Sequence, residues 1–165
     1  MTELDHASIL TVLEAHSVRF VVIGGIAAEL RDLSLLPTID LDITPARDEQ
    51  NLLALADAFD ELEAGLLTAD EHGTWFPRFP TDNWAQYSTL HLTTVHGPLD
   101  IVFAPDGAPN GFDALVGDAT RVTVGEAQPL VISVATWIRL KEASGRAKDL
   151  EHLDRYSEDH RQADH

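Results

Sequence analysis

Two glycines and three aspartates carry the chemistry that this sequence offers. Gly24-Gly25 closes the apolar run Arg19-Phe20-Val21-Val22-Ile23, and Ile26-Ala27-Ala28-Glu29-Leu30 resumes helical character after it. Unpaired backbone N–H groups at such a strand-to-helix junction favour an anion, and glycine lets a phosphate chain come close. Further on, Thr38-Ile39-Asp40-Leu41-Asp42-Ile43 alternates with a period of two, which predicts a strand with both aspartates on one face. Asp100, inside Leu99-Asp100-Ile101-Val102, is a third acid on a segment otherwise made for burial.

If the strand bearing the pair lies beside the strand bearing Asp100, the three carboxylates converge. Two unit charges about 4 Å apart repel by roughly 4 kcal/mol at an effective dielectric near 20, so a cation must compensate. Magnesium suits such a site because it takes hard oxygen ligands and shares its shell with substrate phosphates. The plainer reading of an Asp-x-Asp pair is the solvated face of a strand. The glycine turn before the pair, the acid on a later strand and the cations near the C-terminus all favour the metal. Those cations are Arg139, Lys141, Arg146 and Lys148, four basic residues within ten positions that include both lysines of the chain.

The elements that must position these residues are legible as hydrophobic periods. Ile9, Leu10 and Leu13 mark a first helix over about 4–16, and Asp48 caps a helix to about Leu62 with Leu52, Leu55, Ala56, Phe59 and Leu62 as its buried stripe. Tyr87 to Val95 and Leu99 to Ala104 read as two strands joined by the turn His96-Gly97-Pro98. A short helix over Gly111 to Val116 and short strands over Arg121–Val124 and Pro129–Ile132 follow. Ser133 then caps a helix that carries Trp137 and Leu140 and breaks at Gly145, and a last helix runs from Ala147 to about Tyr156. Thr68 to Ala85, with Trp75, Phe76, Phe79 and Trp84, reads as aromatic packing ahead of a substrate-facing lid.

The 165 residues, 44% of them apolar, predict one α/β domain over 1–156 and a polar, frayed tail over 157–165. Apolar runs fall far short of the roughly 20 residues of a membrane span. The lack of cysteine and of a secretory leader point to the cytoplasm and leave oxygen or imidazole as metal ligands. A formal charge of −17 makes duplex DNA an unlikely partner in phosphate-driven binding. Of the histidines, His91 and His96 lie near the predicted hairpin turn and could approach the site, but surface or packing roles are commoner for lone histidines. Gly24-Gly25 lacks the third glycine of a dinucleotide fingerprint and the lysine of a Walker loop.

Taken in order, Gly24-Gly25, Thr38-Ile39-Asp40-Leu41-Asp42 and Asp100 resemble the minimal nucleotidyltransferases of the DNA polymerase beta superfamily. Leu140-Lys141-Glu142-Ala143-Ser144-Gly145-Arg146-Ala147-Lys148-Asp149-Leu150 is similar to the C-terminal signature of the AbiEii/MenT-like nucleotidyltransferases. The resemblance spans about Arg19 to Leu153 and implies a nucleotidyltransferase fold, a small mixed sheet flanked by helices. It implies a magnesium-dependent enzyme, with two ions, that transfers a nucleoside monophosphate from an NTP to an acceptor hydroxyl and releases pyrophosphate. Asp40, Asp42 and Asp100 would be the metal ligands, and Asp100 would also help to deprotonate the acceptor. Gly24 and Gly25 would face the triphosphate, Lys141, Arg146 and Lys148 would be the cations near the nucleotide, and Asp149 would orient one of them. The acceptor is transfer RNA, with a cognate antitoxin protein as partner, in toxin-like members, and a small molecule in the antibiotic-modifying ones; a protein acceptor or a non-catalytic nucleotide-binding module on the same fold are further readings. Leu36 stands where relatives often carry an arginine.

Overall fold

The computed structural model describes residues 2–33, 37–67, 73–75 and 87–163. Helix α1 (His6–Ala15) starts where the Asp5 carboxylate accepts the Ser8 N–H, and it buries Ile9, Leu10 and Leu13. Strand β1 (Phe20–Ile23) is buried along its whole length and runs straight into helix α2 (Gly24–Leu30). Strand β2 (Leu41–Pro45) then leads to helix α3 (Glu49–Leu62), which is capped by Asp48 and buries all five residues of the predicted stripe. Asn51 on α3 is buried because it is satisfied. It accepts the Arg19 N–H at 2.7 Å and donates to the carbonyls of Arg19 and Ala46 at 3.0 and 2.7 Å, which ties α3 to the ends of β1 and β2.

Strands β3 (Gly65–Leu67), β4 (Gly73–Trp75), β5 (Thr89–Thr94) and β6 (Gly97–Val102) come next, followed by helix α4 (Phe112–Leu115) and the short strands β7 (Thr120–Arg121) and β8 (Leu130–Val131). Helices α5 (Val134–Ser144) and α6 (Ala147–Ala163) complete the described chain. The sheet is mixed, in the order β4-β3-β5-β6-β2-β1-β8-β7. Strand β2 lies antiparallel to β1 and parallel to β6, so the strand after the glycine turn does adjoin the strand bearing Asp100. One continuous core, from Ile9 through Val21, Leu41, Leu55 and Ile101 to Trp137, joins the sheet to the helices.

Four expectations need correction. The strand expected over Thr38–Ile43 begins only at Leu41, and Ile39 is 73% exposed rather than buried. The reason lies in β1, which ends at Ile23 opposite Asp42 and turns into α2, so residues before Leu41 have no partner strand there. The turn between β5 and β6 is the two residues Val95-His96, with Gly97 and Pro98 already paired in β6. The strands expected over Arg121–Val124 and Pro129–Ile132 shrink to β7 and β8, with a bridge from Val124 to Ala127 closing the turn. Helix α6 continues through Ala163, past the expected end at Tyr156. Leu36 and, apart from 73–75, the aromatic segment over Thr68–Ala85 lie outside the described residues.

Candidate active site

Cross-strand register builds the site. His91 on β5 pairs with Asp100 on β6, Asp100 pairs with Asp42 on β2, and Asp42 pairs with Ile23, the last residue of β1. These side chains share the sheet face opposite to Leu41, Leu99 and Ile101, which are fully buried. Asp40 stands at a bend just before β2, and its carboxylate joins the other two. Asp40, Asp42 and Asp100, each half-buried, offer one carboxylate oxygen apiece within 4.8 Å of one another. The expected convergence therefore holds, although Asp40 reaches it from a bend instead of from a strand.

The two glycines leave room for this arrangement. Gly24 has φ of +69°, and a side chain there would collide with the Asp42 carboxylate. A Cβ on Gly25 would strike Thr38 instead. Both positions are thus closed to larger residues by the acidic segment itself, which packs the turn against the aspartates.

The electrostatics are strained in one direction. Burial pushes the Asp42 carboxyl up to about 8, helped by the negative charges of Asp40 and Asp100 and by a hydrogen bond with Asp100, while Lys141 pulls the other way. Asp40 is raised as well, by burial first and then by the charge and hydrogen bond of Asp100, with Lys148 opposing. One oxygen of Asp42, Oδ1, is buried and has no hydrogen-bond partner among the described residues. An all-oxygen cluster with an unpartnered carboxylate oxygen and excess negative charge fits a hard divalent cation.

The C-terminal signature folds into a second cluster. Asp149 on α6 is buried, accepts the Lys141 ammonium at 2.7 Å and Arg146 Nε at 3.1 Å, and also accepts the Ser144 hydroxyl. Burial pushes its carboxyl up, but the bonds from Lys141 and Ser144 and the charges of Lys141 and Arg146 outweigh this and hold it below the usual range. Lys141 is itself 13% exposed, and its ammonium lies 5.7 Å from the centre of the Trp137 ring. Arg146 is 77% exposed. A cavity of about 290 Å³ connects the two clusters, with Gly24 and Asp42 on one wall and Trp137, Lys141, Arg146 and Asp149 on the other. Lys148 lies outside that lining, yet its charge favours the ionised form of Asp40.

Two residues join the site that the sequence reading did not place there. His91 reaches Asp100 through Nδ1 at 2.9 Å, and Trp137, expected only as a buried helix residue, lines the cavity. The signal for His91 was its parity on β5, because Leu90, Leu92 and Thr94 are buried and His91 must face the other way.

The whole chain is similar in structure to two solved proteins. The lincosamide antibiotic adenylyltransferase LnuA, solved with lincomycin bound, matches with a TM-score of 0.58 and 16% identity over 94% of this chain and 98% of its own. The candidate nucleotidyltransferase TM1012 from Thermotoga maritima matches with a TM-score of 0.54 and 16% identity over 92% of this chain and 89% of its own. No family model matches the chain, and no curated protein matches it in sequence. At this identity the likeness is one of fold: the chain adopts the α/β nucleotidyltransferase fold. No helix among the described residues is long and apolar enough to cross a membrane.

Proposed function

We propose that the protein is a magnesium-dependent nucleotidyltransferase that moves a nucleoside monophosphate from an NTP to an acceptor hydroxyl. The observation that carries this reading is the convergence of Asp40, Asp42 and Asp100 within 4.8 Å beside a glycine turn, on a nucleotidyltransferase fold. The three carboxylates would hold the metal, and Asp42 brings a buried oxygen that has no hydrogen-bond partner among the described residues. Magnesium bound there would polarise the α-phosphoryl group and neutralise the pyrophosphate that leaves.

The chain's own residues supply position and charge. Gly24 lines the cavity and Gly25 follows it in the same turn, where the triphosphate would approach, and Lys141 on α5, Arg146 in the link after it and Lys148 on α6 would offset its charge. In the reaction the acceptor oxygen forms a bond to the α-phosphorus, and the bond from that phosphorus to the bridging oxygen of pyrophosphate breaks. Asp100 would take the hydroxyl proton. Asp149 holds Lys141 and Arg146 in place and takes no proton in the chemistry.

A small molecule is the acceptor class best supported. Asp149 offsets one of the two positive charges of Lys141 and Arg146, which leaves one for a triphosphate, while the formal charge of −17 repels a long polyanion and attracts a cationic small molecule. LnuA, which the chain covers almost completely, is named for an antibiotic acceptor. The second reading, an AbiEii/MenT-like toxin that modifies transfer RNA and is silenced by an antitoxin protein, is favoured by the Lys141-to-Asp149 segment, three of whose charged members, Lys141, Arg146 and Asp149, meet in one cluster. Either enzyme would work in the cytoplasm, where its NTP is.

Calorimetric titration with each NTP, with and without magnesium, tests the reaction class: metal-dependent binding of an NTP is expected, and its absence for all of them would leave only a binding module. Incubation with labelled NTP and either aminoglycosides and lincosamides or transfer RNA then separates the acceptors by which product carries the label.

A further inference from the structure

We propose that His91 is a positioning residue for Asp100, and that its Nδ1 fixes the carboxylate in the orientation a divalent cation requires. The inference rests on the reading of the three aspartates as a cation site. A carboxylate in such a cluster has two oxygens, and once all three acids are ionised, as a bound cation requires, repulsion from Asp40 and Asp42 drives it away from the others. Asp100 is held against that drift from the opposite side. His91 is its direct cross-strand partner, and Nδ1 lies 2.9 Å from Oδ1. Facing a carboxylate oxygen, Nδ1 is the donor, which leaves the second oxygen of Asp100 for the cluster.

Among the described residues, Asp100 is the one side chain that His91 is seen to bond. Its side chain is 62% exposed and stays outside the core that Leu90 and Leu92 join from the same strand, whereas Asp100 is 16% exposed. Partners of this kind behind a metal-binding carboxylate typically contribute 10–100-fold to affinity.

Chain geometry supplies a sharp test, because the side-chain nitrogen of asparagine sits as many bonds from Cβ as Nδ1 does, and that of glutamine sits nearer to where Nε2 would be. Manganese binding by the full chain, at one fixed pH and without nucleotide, is titrated by the loss of the free-ion electron paramagnetic resonance signal. His91→Ala and His91→Gln are expected to weaken binding roughly 10–100-fold, and His91→Asn to stay within about threefold of the parent protein. All three variants should melt within about 2 °C of the parent in the absence of metal, since an exposed site changes stability little. Parent-like binding by His91→Ala would overturn the proposal alone. Equal loss in His91→Asn and His91→Ala would overturn the assignment to Nδ1. If the parent protein itself binds no manganese, the cation site falls and the role of His91 with it.

Discussion

Two clusters of charge face each other across the cavity, and they are built on opposite rules. Around Asp149, every carboxylate oxygen has a donor and the counter-charges of Lys141 and Arg146 are in direct contact. Around Asp42, three acids share a small volume, and one buried oxygen has nothing to bond among the described residues. Their proton affinities move in opposite directions for that reason: Asp149 gives up its proton more readily than an ordinary carboxyl, and Asp42 holds it up to about 8. The first cluster is complete as it stands. On the proposed reading a cation completes the second, and that difference separates a cluster paired within the protein from one left for a ligand.

Asp42→Asn should break the comparison most severely. Removing one ligand of the cation site takes away several kcal/mol of transition-state stabilisation, so nucleotidyl transfer should fall by roughly 10³-fold or more. The same substitution removes a repelled charge, so the metal-free protein should melt at a higher temperature than the parent at pH 8. Initial rates and a thermal melt on the same preparation check both signs. An active Asp42→Asn protein would return the three aspartates to the status of a solvated face.

Asp149→Ala should do the reverse. It leaves Lys141, which is nearly buried, without its partner, and breaking a buried pair typically costs 3–5 kcal/mol. Because Arg146 on the other side is largely exposed, about 2–3 kcal/mol is expected, and the loss should be the same with or without magnesium. Denaturant unfolding in both conditions measures it. A loss that appears only in the presence of metal would mean that the Asp149 cluster belongs to the cation site after all.

The pH dependence of stability separates the clusters a third way. Asp42 binds a proton more tightly in the folded protein than in the unfolded chain, whose ordinary value is 3.8. Between that value and about 8 the native state therefore holds the extra proton, and metal-free stability falls as pH rises through this window. Asp149 contributes in the opposite sense: its stabilisation is present above the ordinary carboxyl range and is lost as pH falls through its lowered value. A fall in melting temperature on the order of 5 °C from pH 5 to pH 8 is expected without metal. Magnesium should shrink that fall because it binds the ionised form. A melting temperature that stays flat in Asp42→Asn would assign the slope to this one residue.

How much of this was visible in the chain follows from what each part depends on. The helix over Glu49–Leu62 was legible to within a residue because its stripe, its Asp48 cap and its length are all local. The three aspartates were legible because an acid on an apolar strand is conspicuous by residue type alone. His91 was not, since its role depends on register: a three-residue turn at His96-Gly97-Pro98 would set it opposite Phe103, and the actual two-residue turn sets it opposite Asp100. Asp40 was assigned to a strand because the alternation continues past the point where β1 stops offering a partner, and the end of a neighbouring strand cannot be read from the period. The pairing of Lys141 and Arg146 with Asp149 was half legible, as a cation cluster with one acid, but how much charge it leaves for a ligand depended on distances.

Arg146 is the residue least firmly tied to either cluster, and its truncation should have the smallest effect on the fold. It touches Asp149 at 3.1 Å, but it is 77% exposed, and an exposed ion pair contributes only about 0.2–1 kcal/mol. Lys141 and Ser144 still satisfy the carboxylate when Arg146 is gone, so Arg146→Ala should leave stability nearly unchanged. Its guanidinium also lines the cavity, where a triphosphate would compete with Asp149 for it. If it serves the nucleotide, the KM for NTP should rise roughly 3–10-fold while kcat moves little, the signature of an interaction made equally in ground and transition states. If it serves only Asp149, both constants should stay put and the small change should appear in denaturant unfolding. A large drop in kcat would fit neither role, and would move Arg146 from the wall of the cavity to the reacting phosphate.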